Sequence, residues 1–305
     1  VVSVVVCTYN RAESLRRTLQ SLAAMVLPPA FAWELIVVDN NSKDQTRQVV
    51  SDFTTTCAWN VRYVFEESQG IAHARNRGAE EAKGDIVAYV DDDIVVTPNW
   101  LQTITRAFSE LDADCVGGRI LPRWEAAVPT WLTEDLYGYL GLLDYGTRSL
   151  RMESPMLWSA NYAVKKCLFA QHGKFDVRLG RVADKLCAGE ETDFNRRLLQ
   201  GGARLWYCAD AVVYHSVPAT RMTKNYFRKW VYDAGESRAK MAADSHRKQG
   251  TGMPLYPMLN VWDAVRYYGK ALLLRRGNRF AHEMNLHAAL GFLRGKLLLR
   301  FGKMK

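Results

Sequence analysis

Three aspartates stand side by side in this chain, Asp91-Asp92-Asp93, with the apolar run IVAYV before them and IVV after them. Like charges a few Å apart disfavour joint ionisation, so such a triplet is strained when empty. A divalent cation relieves the repulsion, and hard carboxylate oxygens suit Mg²⁺ or Mn²⁺. Alternate residues of an extended chain share a face, so Asp91 and Asp93 are expected to converge while Asp92 turns away. A solvated acidic turn is the plain alternative, disfavoured by the apolar strand that leads into it. His215 ends the aliphatic stretch VVYH. It is either a structural histidine or a nitrogen ligand to the same cation.

A second set of polar groups sits where other apolar runs stop. CTYNR (Cys7–Arg11) and DNNS (Asp39–Ser42) offer Thr8, Asn10 and Asp39, short side chains able to recognise a base or a ribose. Each alone is weak, since polar residues at strand ends often only cap helices. Gly70–Gly78 (GIAHARNRG) opens a helix with Arg75 and Arg77 available to a phosphate or base, or simply to solvent. It is not a GxxxxGK[ST] loop, and no GxGxxG occurs, which disfavours ATPase and dinucleotide chemistry. Gly189 precedes Glu190, Glu191 and Asp193. Acidic residues in a first helical turn are favoured by the helix dipole, yet three exceed what capping needs. A general base is the sharper reading.

The elements that must position these groups alternate strand and helix over the first 120 residues. Strands are expected at Val1–Cys7, Trp33–Asp39, Asn60–Phe65, Ile86–Asp91 and Cys115–Ile120, with helices over 11–24, from a Ser42/Gln45 capping box, over 71–82, and from Thr97-Pro98 to Ser109. Near-continuous Val/Ile strands between helices argue for a mostly parallel sheet covered on both faces. Ligands of such sheets sit at the carboxyl ends of the strands. Residues 122–154 are aromatic (Trp124, Trp131, Tyr137, Tyr139, Tyr145) and read as a loop or short-helix insertion near a site. Strand character returns at Leu157–Val164 and Leu205–Tyr214, with a helix at Glu191–Leu199 between them. From Arg221 the chain is helical and basic, interrupted at Gly250–Pro257.

Composition sets the class. The 305 residues are 48% apolar and 24% charged, which excludes disorder, collagen-like repeats and a disulfide-stapled miniature. Six cysteines without CxxC spacing suggest reduced thiols in the cytoplasm. No apolar run approaches the roughly 20 residues of a spanning helix, and the apolar start lacks the basic flank of a signal peptide. Charge is uneven: residues 221–305 hold 18 Lys/Arg against 5 Asp/Glu, and residues 1–220 hold 23 against 27. That asymmetry points to an anionic surface, with a solvated basic tail as the alternative.

Together, VVSVVVCTYNR, VVDNNS, GIAHARNRG, YVDDD and GEETD resemble the GT-A fold glycosyltransferases of family 2, over roughly residues 1–215. The resemblance implies a Rossmann-like nucleotide-binding α/β fold and an inverting transferase using a nucleotide-sugar donor and Mn²⁺ or Mg²⁺. It assigns donor binding to Thr8, Tyr9, Asn10, Arg11, Asp39, Asn41, Arg75, Asp91 and Asp92. Asn161 is assigned to the donor sugar and the metal to Asp93, which Asp91 and His215 join as candidate ligands on the reading of the residues themselves. The family's acidic pair maps to Glu190-Glu191. Its second position, normally Asp, is Glu191 here, which leaves Asp193 as a rival base.

The implied organisation is a catalytic domain over 1–220 and a basic amphipathic helical extension over 221–305. Within the first, 1–120 would bind the nucleotide sugar and 121–220 the acceptor. Leu286, Leu290, Leu293, Leu297 and Phe301 recur at helical spacing with Arg294, Lys296, Arg300, Lys303 and Lys305 interleaved. Such a helix lies in an anionic bilayer interface or packs on the core. Arg221, Lys224, Arg228 and Lys229 are alternatively placed to close over donor phosphates. The expected activity is transfer from a UDP-sugar to a glycan or lipid-linked glycan in bacterial surface polysaccharide or glycolipid synthesis, at the inner face of the cytoplasmic membrane. Two competing readings are a sugar nucleotidyltransferase and an inactive membrane or nucleic-acid binding protein. The first lacks its glycine-rich loop with Lys, and the retained acidic motifs count against the second.

Overall fold

The computed structural model describes residues 1–57, 59–183, 185–249, 256–273 and 279–301. The chain forms two compact units, Val1–Asp176 with Glu191–Ala219, and Val177–Glu190 with Thr220–Lys305.

The first unit is built on one sheet. Its first half alternates β1 (Val2–Thr8), α1 (Ala12–Ala23), β2 (Trp33–Asp39), α2 (Thr46–Thr56), β3 (Val61–Phe65), α3 (Ile71–Glu81) and β4 (Ile86–Asp91). β1 is buried at every position, as a strand covered on both faces must be. α1 lays Leu15, Leu19 and Leu22 on the sheet at helical spacing. Each such buried leucine contributes ~2 kcal/mol of transfer free energy. The strands run parallel in the order β3-β2-β1-β4. Because β1 is flanked by β2 on one side and β4 on the other, the winding reverses beside it, and a crevice opens at the carboxyl ends.

The second half adds β5 (Ile94–Val96), α4 (Trp100–Glu110), β6 (Cys115–Trp124), β7 (Leu150–Met152), β8 (Asn161–Lys165), α5 (Cys167–His172), α6 (Glu190–Gln200) and β9 (Leu205–Val217). The order continues β4-β8-β6-β9-β5, with β7 on β9. The fold class is the α/β sheet flanked by helices that was expected, but this half is mixed. β8 is antiparallel to both β4 and β6, and β5 and β7 are antiparallel to β9.

Local details differ from expectation for identifiable reasons. No Ser42 capping box forms: α2 starts at Thr46, whose backbone N–H and hydroxyl donate to Asp44 Oδ1 at 3.0 and 2.6 Å. Thr97-Pro98 makes a turn ahead of α4, with Trp100 N–H donating to the Thr97 carbonyl, and the helix begins at Trp100. In the aromatic segment β6 runs on to Trp124, and a 3₁₀ turn spans Glu134–Leu140.

The second unit holds α7 (Lys224–Gln249), α8 (Tyr256–Leu273) and α9 (Arg279–Arg300). The expected interruption at Gly250–Pro257 falls largely outside the described residues. α7 and α9 approach so closely that a Cβ at Gly291 would collide with the Tyr232 carbonyl oxygen. Among the described residues, no helix is long and apolar enough to cross a membrane.

Candidate active site at the carboxyl edge of the sheet

Register brings the expected groups together. Thr8 pairs with Asp39 across β1–β2, and Cys7 with Asp91 across β1–β4. Just beyond the strands Asn10 and Asn41 take left-handed backbone, with φ of 51° and 66°. Asparagine tolerates that conformation better than most residues. Asn10 N–H donates to Ser42 Oγ at 2.9 Å, and Asn10 Oδ1 accepts from Lys43 N–H at 2.7 Å. The hydroxyl expected to cap α2 therefore ties two site loops to each other. Asn41 donates to the Glu67 carbonyl, and Tyr9 is half-buried.

Asp39 is buried and accepts from Ser42 N–H at 2.9 Å and from Tyr63 O–H at 2.7 Å. Burial and the Asp39 bond push the Tyr63 phenol up to about 12. Tyr63 and the buried Asn40 were not anticipated. Asn40 holds the loop before α3 by accepting from Gly70 N–H at 2.8 Å and donating to the Ser68 carbonyl at 2.7 Å. Gly70, at φ 142°, is where that loop needs glycine. A DNN tripeptide carries no signal that singles out the Asn that holds the loop.

The acid triplet departs from strict alternation, because β4 ends at Asp91 and the next two residues turn. Asp91 accepts from the buried Arg75 at 3.1 Å rather than converging on Asp93. Asp92 and Asp93 are the pair that share a partner: Arg11 Nη1 lies 3.0 Å from Asp92 Oδ1 and 2.9 Å from Asp93 Oδ2. Thr8 O–H also donates to Asp92 Oδ2 at 2.7 Å. Burial pushes Asp92 up to about 6, with Arg11 pulling against it and Asp93 adding to it. Asp92 in turn holds the Arg11 guanidinium above its usual value.

His215 reaches this corner through the β5–β9 ladder, where it pairs with Ile94. Its Nε2 lies 3.0 Å from Asp93 Oδ1, and both side chains are buried. Gly141 of the aromatic segment closes on the ring, a Cβ there meeting His215 Cε1 at 3.0 Å. Among the described residues no three His, Cys, Asp or Glu side chains form a ready-made metal cluster. A hard oxygen donor beside an imidazole still fits Mg²⁺ or Mn²⁺, because such ions take one or two protein ligands and complete their shell with substrate phosphates and water.

Asn161 is not placed for a sugar. It is fully buried; its carbonyl accepts from Trp100 Nε1 at 2.8 Å, and its amide donates to the Arg119 and Ala211 carbonyls at 3.0 and 2.7 Å. A buried side chain at the start of a central strand satisfies itself within the sheet. α6 brings Glu190, Glu191 and Asp193 into its first turn. Asp193 is held through both oxygens, by Arg196 at Oδ1 and by Arg197 Nε at 2.9 Å from Oδ2. Glu190 is buried and Glu191 half-buried.

Three of the four basic residues expected over donor phosphates are engaged inside the second unit. Arg228 pairs with Glu283 at 2.8 Å, Lys229 with Asp233, and Lys224 lies over the Phe280 ring, while Arg221 is buried. On α9, Lys296 is buried, whereas Lys303 and Lys305 lie outside the described residues.

Comparison with known proteins now bears on this edge. The chain is 32% identical over 220 residues to the glucosyl-dolichyl phosphate glucuronosyltransferase of Haloferax volcanii, covering 71% of this chain and 69% of that protein. It is 26% identical over 299 residues to the succinoglycan biosynthesis protein ExoM of Rhizobium meliloti, covering 97% and 92%. Among solved structures, a mannosyltransferase from Pyrobaculum calidifontis in complex with GDP-Man and Mn²⁺ matches with a TM-score of 0.65 at 19% identity, over 96% of this chain and 86% of that one. With the family profile matched over residues 3–171 as well, the chain belongs to glycosyl transferase family 2 and is a GT-A glycosyltransferase acting on a nucleotide-sugar donor.

Proposed function

We propose that the chain is a metal-dependent inverting glycosyltransferase that moves a sugar from a UDP-sugar to a hydroxyl of a glycan or lipid-linked glycan. The process it serves is bacterial surface polysaccharide or glycolipid synthesis, at the inner face of the cytoplasmic membrane. The observation that carries the reading is the Asp93–His215 pair, 3.0 Å apart at the same strand ends as Thr8 and Asp39.

Asp39 has two of its lone-pair sites engaged by Ser42 and Tyr63, and the others accept from N–H groups of the nucleobase. Thr8 orients Asp92 toward the ribose hydroxyls. Asp93 and His215 would hold the Mn²⁺ or Mg²⁺, whose charge stabilises the departing diphosphate. Arg11 and Arg75, already charged and anchored on Asp92 and Asp91, hold the donor end of the site together. The sugar carbon develops oxocarbenium character as the diphosphate leaves, as in glycoside hydrolysis. Glu191 takes the proton of the acceptor hydroxyl, which attacks the opposite face and inverts the centre. Asp193 is the poorer base because two guanidinium groups occupy its oxygens. An acceptor borne on lipid accords with the basic character of residues 221–305.

The test is a donor panel with Mn²⁺ or Mg²⁺, UDP-sugars and GDP-mannose included, following release of nucleoside diphosphate and donor binding by calorimetry. Metal-dependent turnover of one UDP-sugar, lost in Asp93→Ala, is the expected result. Turnover confined to GDP-mannose overturns the choice of base, and turnover indifferent to chelator overturns the metal.

A further inference from the structure

We propose that α8 is a docking face for an anionic lipid bilayer, lying in the headgroup plane rather than crossing it. This rests on the membrane part of the proposed function and deepens it by assigning the surface. Met258, Leu259, Trp262, Val265, Leu272 and Leu273 are all exposed, Trp262 by 66% and Leu273 by 85%. At 3.6 residues per turn the six fall within an arc of roughly 140° on one side of the helix. The other side carries the buried Ala271, though Tyr267 there is exposed by 53%, and α8 packs on α9. Scattered exposed apolar residues are ordinary, but a contiguous stripe over the whole length of a helix marks a contact surface.

Charge selects the occupant. Residues 256–305 hold ten Lys/Arg against two Asp/Glu; on α8 itself Arg266 lies within one edge of the stripe and Lys270 just beyond it, with the exposed Asp263 next to Lys270. A second copy of the chain would bring the same excess of positive charge to the contact. Anionic headgroups neutralise it, and tryptophan partitions well to the headgroup level. α9, the helix singled out by its leucine spacing, is less available. Its Arg294 is committed to Glu236 and its Lys296 is buried, although Leu290, Leu297 and Phe301 remain partly exposed beside α8.

The experiment is co-sedimentation of the full chain, without donor or metal, with phosphatidylcholine vesicles that contain or lack about one-third phosphatidylglycerol. The expected result is binding to the anionic vesicles alone, weakened as salt shortens the Debye length. Trp262→Ser combined with Leu273→Ser is expected to lower the partition coefficient by at least about tenfold. Arg266→Glu with Lys270→Glu should do the same. Both pairs change exposed side chains, so melting temperature and donor binding should stay as in the parent. Equal binding by parent and variants, equal binding to neutral vesicles, or no vesicle binding at all overturns the proposal. A dimer in sedimentation velocity that the serine pair dissolves reassigns the face to self-association. Donor turnover is read separately, without vesicles, so failure of the surface and failure of the transferase reading give different results.

Discussion

At the carboxyl edge of the sheet, Asp92 and Asp93 share the Arg11 guanidinium, Asp93 also faces His215 Nε2 at 3.0 Å, and Asp91 is turned to Arg75. On α7 of the second unit the buried acids are provided for individually. Glu236 pairs with Arg294 and faces Lys185 at 3.9 Å, and Asp233 accepts from Lys229 and from Leu186 N–H at 2.8 Å. Both arrangements put carboxylates out of water. In the first the two acids are adjacent in the chain, and burial there pushes Asp92 up to about 6, with Asp93 adding to it. A protein gains nothing structural by placing a second buried acid against the first. Like-charge crowding of that kind clusters at functional sites. The α7 acids do the ordinary work of helix docking.

Substitutions should separate the two classes, and the largest effect is expected at Asp93. Asp93→Asn should cut nucleoside diphosphate release by about 10³-fold, the scale of losing a principal electrostatic stabiliser. The melting temperature should hold or rise, because a buried like-charge contact is removed; a large fall would place Asp93 with the structural acids. Glu191→Gln should reduce kcat by ~10²–10⁴-fold with KM for donor little changed, as expected for loss of a general base. Exchange of those outcomes between Glu191 and Asp193 would move the base to Asp193.

The converse behaviour is expected on α7. Glu236→Ala should cost about 1–3 kcal/mol, read as a few degrees in thermal melting, with the turnover of the folded enzyme unaltered. The effect is modest because Arg294 is half exposed and regains water. Gly291→Ala should cost a similar ~1–3 kcal/mol, since its Cβ meets backbone rather than a yielding side chain.

Alkaline pH gives a smaller and broader effect, centred on the sheet unit. Burial pushes the Cys7 thiol up to about 12, and Tyr63 and Tyr207 are likewise held at about 12. Above the ordinary thiol pKa near 9, and then above the phenol value near 10, the unfolded chain loses protons that the native chain retains. Stability should therefore be unaffected below pH 9 and fall progressively from pH 9 toward 12. A flat melting temperature from pH 8 to 11 would refute this. Smallest of all, Asp193→Asn should change turnover by less than about tenfold, since it loosens two partly exposed arginine pairs on one helix.

Much of this molecule is legible in its sequence wherever the deciding contacts are local or periodic. β2 and the Ile86–Asp91 strand fall at the expected residues, and α1 and α3 agree to within one residue. Their hydrophobic patterns settle both the type of element and the face it buries. The acid triplet, the two strand-end polar clusters and the acidic start of α6 were readable for the same reason, as residue types standing at the ends of such patterns. What the tertiary structure alone decided concerns partners far apart in the chain. A triplet does not say that Asp91 faces Arg75 while Asp92 and Asp93 share Arg11, because the strand ends inside it and alternation no longer applies. The meeting of His215 with Asp93 depends on the β5–β9 register, and the engagement of Asn161 depends on β8 inserting antiparallel between β4 and β6. Leucine spacing marked α9 as the amphipathic helix, yet close packing against α7 covers part of it and leaves the broader apolar face on α8. Periodicity records that a face is apolar. Which neighbour covers it is set by contacts between elements that no local window contains.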